Sequence, residues 1–203
     1  MQPENDVLQL HLSAEALMRK GSYAMANGLY WQAWESYTAQ RRSAHAAGSV
    51  EAFDEANPPA AAFWLLISGA NAQFLAGDAE ACVDTLVTVF ELFKDIGLVV
   101  GNPFFHLRLG QASLELEPSS ITDNTSTATD NLARALICGG IEIFDGEDPK
   151  YFSQISKILR PPAGFESWEQ AKGYGCSVDK LTGAPELLAE LFASKYGNEI
   201  GAA

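Results

Sequence analysis

One short stretch, GNPFFHLRLGQASLELE (residues 101–117), gathers His106, Arg108 and Gln111. These types could do acid–base work, but a catalytic histidine needs partners within hydrogen-bond reach, and none stands out in the sequence. A second cluster, FDGEDP, holds Asp145, Glu147 and Asp148. It lacks the alternating oxygen ligands and terminal glutamate of a calcium loop, so it reads as a charged turn with a helix cap, or as an acidic tip for a basic partner. The three histidines, His11, His45 and His106, are far apart, and so are Cys82, Cys138 and Cys176. No CxxC pair suggests a zinc site or a disulfide framework, and Cys138, in the apolar run ALICGG, reads as a buried inert thiol. Neither a G-x-S-x-G elbow, an H-E-x-x-H pair nor a phosphate-binding glycine loop is present. The expectation is therefore a non-enzymatic protein with no catalytic residues, metal or cofactor. An enzyme using His106 with Arg108 is the outlying alternative.

The totals narrow the partners. The chain has 203 residues, 13 Lys and Arg against 26 Asp and Glu, and a net charge of -13. Nucleic-acid binding depends on neutralising phosphates, so this excess of carboxylates argues against direct DNA or RNA contact. It serves solubility, or it steers in a basic protein. No apolar run reaches the ~18–20 residues a membrane span needs. The start, MQPENDVLQL, shows no secretory pattern, so the expected compartment is the cytoplasm.

The elements that must position these residues read as helices. Tyr30, Ala33, Trp34 and Tyr37 form one helical stripe within residues 30–44. A second helix follows Pro58-Pro59, and a third opens at Asp78 as N-cap and closes near Gly97. Asn102-Pro103 starts a fourth, and Asp148-Pro149 repeats that grammar for a helix over 149–159. A short amphipathic helix is expected over 185–196. Residues 118–130 are small and polar and read as a surface loop, and residues 48–59 read as a second loop or a frayed helix end. No convincing strand is found; IGLVVGN is the nearest candidate.

Small and large residues recur at matching spacings. Gly21 to Gly28, Ala70 to Gly77 and Gly110 to Glu117 are each seven residues, and Gly28 and Gly77 are followed by Ala33/Tyr37 and Cys82/Leu86. Small residues let two helices approach, and turn glycines adopt conformations other residues avoid. This pattern resembles the tetratricopeptide repeat, W-x2-L-G-x2-Y…A-x3-F…P. The first unit takes Leu17, Gly21, Ala24, Gly28, Tyr30, Ala33 and Tyr37, the second Leu66, Ala70, Gly77, Cys82 and Leu86. The third takes His106, Leu109, Gly110, Ser113, Ala128, Leu132 and Ala135. The turn positions 28, 77 and 117 lie 49 and 40 residues apart, against ~34 in the family. The blocks NPFFHLRLGQ and EIFDGEDPKYF also resemble a group of bacterial tetratricopeptide-like proteins.

The resemblance implies an all-α fold of stacked antiparallel helical hairpins in a right-handed superhelix, with capping and C-terminal helices. Residues 1–160 would form the repeat domain, with the polar insertion loop 118–130, and residues 161–203 a C-terminal extension. It implies that His106 packs between helices. First helices of the units would line a concave groove that includes Met18, Arg19, Ser22, Trp64, Ile67, Asn71, Arg108, Gln111 and Glu115. Of these, Trp64, Asn71, Arg108, Gln111 and Glu115, with Asp145, Glu147 and Asp148, are the expected partner-binding set. The functional expectation is an acidic immunity-type protein that binds and neutralises a basic bacterial toxin. The alternative is a scaffold or secretion chaperone holding an extended peptide in the groove.

Overall fold

The computed structural model describes residues 4–96, 98, 99, 101–116 and 124–155. Among them are eight α-helices, two short 3-10 helices and no strand, so the described fold is all-α. It divides into two units, Met1–Leu98 and Val99–Ala203. The 3-10 turn Lys94–Ile96 follows the last helix of the first unit, and Pro103 starts the first helix of the second. The expected helix 185–196, the extension 161–203 and Cys176 lie outside the described residues.

The first unit is built from α1 (Glu4–Met18), α2 (Tyr23–Ala46), the short α3 (Val50–Ala56), α4 (Pro59–Leu75) and α5 (Ala79–Phe93). Helix α2 packs on α1, α3 and α4, and α4 packs on α5. Both long hairpins turn at a left-handed glycine, Gly21 (φ 72°) and Gly77 (φ 86°). In each, the following amide reaches back five residues, Ser22 N–H to Leu17 O and Asp78 N–H to Gln73 O, both at 3.0 Å. That is the Schellman stop, which favours glycine because a Cβ would strain the backbone. The first turn thus lies at Gly21, and the sequence reading that put it at Gly28 is corrected: Gly28 sits within α2. The seven-residue spacing fitted either glycine, and the backbone bonds that close α1 select the first.

Alanines let the helices of this unit approach. Ala14, Ala26, Ala33, Ala70 and Ala72 are fully buried, and Tyr30, Phe63, Leu66, Ile67 and Leu86 fill the space between them. Asp78 caps α5 as expected, accepting from Ala81 N–H at 3.1 Å.

The second unit contains α6 (Pro103–Glu115), α7 (Asn124–Gly139), the 3-10 helix Ile141–Phe144 and α8 (Pro149–Ile155). Asn102 caps α6 through Phe105 N–H at 2.9 Å. Asp148 opens α8, its carbonyl accepting from Tyr151 N–H at 3.1 Å. Residues 124–130, expected as loop, are the first turns of α7. Their polar composition hid a helix whose apolar face begins only at Ala128 and Leu132, both fully buried. Gly110 marks the tightest approach of α6 to α7. A Cβ there would stand 2.8 Å from Leu132 Cγ and 3.0 Å from the Ala128 carbonyl oxygen.

Candidate functional site: a cleft in the first unit

The C-terminal half of α2 carries Trp34, Tyr37, Thr38, Arg41, Arg42 and His45 along one side, at spacings that return every turn of a helix. With Asp54 of α3, Pro59 and Ala62 of α4, and Leu92 and Phe93 of α5, they line a cleft of about 620 Å³. That volume lies within the range of ligand-binding pockets, roughly 300–1,000 Å³. Its floor is aromatic. Trp34 and Tyr37 stack with ring centroids 5.8 Å apart and planes 16° apart, and Phe53 tilts against Tyr37 at 5.5 Å. Phe93 meets Phe63 edge-on at 5.6 Å.

The rim is basic. Arg41 forks onto Asp54 with two bonds of 2.7 Å, the bidentate geometry of a guanidinium on a carboxylate. The hydrogen bond from Arg41 holds the Asp54 carboxyl below its ordinary value, against a smaller opposing effect of burial. Burial, and then the nearby Asp54 charge, raise the Tyr37 phenol, which therefore stays protonated and neutral on the floor. Arg42 and His45 are exposed, and their side chains form no hydrogen bond or ion pair with any described residue. A site of this kind can hold a flat or branched apolar group and offer charge-assisted bonds to an anion beside it.

The expected binding residues are distributed differently. Trp64 (48% exposed) and the half-buried Asn71 share a face of α4 in the first unit, but Ile67 between them is 1% exposed and belongs to the core. Arg108 and Gln111 are 7% and 0% exposed, so they line no open groove. They turn inward to Glu147. Arg108 Nη1 lies 3.0 Å from Glu147 Oε1, and Gln111 Nε2 donates to Glu147 Oε2 at 2.8 Å. Arg108 also donates to Gln111 Oε1, and its guanidinium lies 5.2 Å from the Phe104 ring. Glu147 is thereby taken out of the acidic tip. The spacing of 108, 111 and 115 correctly grouped them on one face, but that face meets the turn before α8.

Glu115 receives Lys150 Nζ and the Tyr151 hydroxyl, each at 2.5 Å. Burial opposes ionisation of Glu115, but those two donors outweigh it and hold its carboxyl below the ordinary range. Burial and the same hydrogen bond push the Tyr151 phenol well up. Asp145 and Asp148 stay exposed, the latter 4.0 Å from Lys150 Nζ.

His106 is 5% exposed, its Nδ1 2.9 Å from Asn131 Oδ1 across the α6–α7 hairpin. It is a packed histidine, as the repeat pattern implied. Cys138 is buried as expected, and so is Cys82. Among the described residues no group of three His, Cys, Asp or Glu could hold a metal ion, and no helix is long and apolar enough to cross a membrane.

Sequence reasoning missed the cleft. Its signal was present in WQAWESYTAQRRSAH, where aromatics give way to cations on one helical side. Trp34 and Tyr37 share the helical stripe read from the sequence, and of the two only Tyr37 is buried. The other walls come from α3, α4 and α5, which no local pattern brings together. No family model matches the chain, and neither a curated protein nor a solved structure is significantly similar to it.

Proposed function

We propose that this chain is a non-enzymatic, cytoplasmic protein-interaction module that takes an extended segment of a partner into the cleft of its first unit. The observation that carries the reading is the stacked Trp34–Tyr37 floor, open beside the Arg42 guanidinium and the His45 ring. Aromatics and arginines supply most of the binding energy in protein recognition. In this reading the α1/α2 and α4/α5 hairpins stack in the manner of tetratricopeptide-like repeats, and the module serves as a scaffold or chaperone.

The test is a library of short random peptides panned against the full chain and against Thr38→Trp, which fills the cleft from α2 without removing its floor. Enrichment on the native chain that disappears with Thr38→Trp is expected. The same peptides enriched on both would overturn the reading.

A second reading, an acidic immunity-type protein that neutralises a basic bacterial toxin, is favoured by the net charge of -13 and by the exposed Asp145 and Asp148. It predicts a partner released steeply by salt and lost on charge reversal at those two positions.

A further inference from the structure

We infer that the segment selected by the cleft is acidic, with a carboxylate a few residues from an aromatic or large aliphatic anchor. This rests on the reading that the cleft binds partner segments, and it adds what those segments must carry. The anchor follows from the floor. Trp34, Tyr37, Phe93, Ala62 and Pro59 line the cleft with apolar side chains.

The acid follows from the rim. In a chain with 26 acidic and 13 basic residues, an arginine is expected to find a carboxylate nearby. Arg41 does so, and its pairing with Asp54 fixes one wall. Arg42 and His45 do not; they stand exposed at the cleft edge with no ion pair to any described residue. An incoming carboxylate would complete Arg42 and could accept from the His45 ring, whereas a basic segment would meet Arg41 and Arg42 against the single carboxylate of Asp54.

The spacing follows from helix geometry. Arg42 lies five residues beyond Tyr37 and eight beyond Trp34 on the same helix. At the helical rise this is about 8–12 Å, which an extended chain spans in roughly two to four residues.

The same panning supplies the test, now read by composition and followed by binding of single peptides. Peptides that depend on the open cleft should pair an acid with an apolar anchor at that separation. For one such peptide, fluorescence anisotropy compares it with a copy carrying Asn or Gln for Asp or Glu. The neutral copy should bind the native chain roughly fivefold to tenfold more weakly, and Arg42→Glu should abolish or reverse that preference. Arg42 is exposed on a helix, so this variant keeps the fold, as circular dichroism would verify. Cleft-dependent peptides with no acidic preference, or a preference unchanged in Arg42→Glu, would overturn this inference and leave the binding reading standing. Peptides indifferent to Thr38→Trp would overturn both. Self-association of the native chain that Thr38→Trp abolishes would make the occupant a second copy and also overturn it.

Discussion

The two units differ in the surroundings they give two of their arginines, Arg108 and Arg42. In the second, Arg108 is buried and spent on Gln111 and Glu147, and Lys150 is spent on Glu115. In the first, Arg41 is paired at the surface while Arg42 and His45 face open space beside apolar rings. Residue type alone does not separate these cases, since both helices carry arginines among aromatics. A cation with its partner inside the fold contributes to structure, whereas one left exposed at the mouth of a cleft is placed for a ligand.

Breaking the buried network gives the largest expected effect. Glu147→Ala deprives Arg108 of its ion-pair partner in a site only 8% exposed on the arginine side, and should cost about 3 kcal/mol of stability by chemical denaturation. An effect under ~1 kcal/mol, the range of surface pairs, would erase the contrast between the units.

Next comes the tight approach of α6 to α7. Gly110→Ala gains helix propensity, yet its methyl group would fall 2.8 Å from Leu132 Cγ. The clash should win, lowering stability by about 1–3 kcal/mol, and a rise in the thermal midpoint would refute the packing.

The surface pair of the cleft wall sits lower. Arg41→Ala should cost less than about 1 kcal/mol in stability, because its side chain is half exposed and screened. It should weaken peptide binding more visibly than it weakens folding.

The smallest effect is a pH dependence. The Glu115 carboxyl is held below its ordinary value of 4.5, so its contribution is present above that value and lost as pH falls through the depressed one. The stability difference between the native chain and Glu115→Gln should hold steady near neutral pH and shrink towards zero on acidification, at well under about 1 kcal/mol throughout. A difference that grows in acid would reverse the assigned sign.

Helices and their caps were legible in the sequence because their signals are local. Asp78, Asn102-Pro103 and Asp148-Pro149 name their helix starts within a few residues. The α6–α7 register was also legible, through Gly110 and Leu132. The fate of polar side chains was not. Arg108, Gln111 and Glu147 are 36 or more residues apart across the pairing that joins them, and only packing shows that they face one another. The cleft failed for the same reason: one wall is a readable helix face, and the others arrive from distant elements. Trp64 stood out as a large aromatic on a first helix, yet it is Trp34, half-buried on the stack, that stands over the open volume.

The most direct test of the central claim follows the indole N–H resonances of Trp34 and Trp64 in the full chain, assigned with Trp→Phe variants, as a cleft-selected acidic peptide is titrated in. The account predicts that the Trp34 resonance shifts with saturation while that of Trp64 stays in place. Movement of Trp64 with Trp34 unchanged would contradict it and return the binding surface to the α4 face.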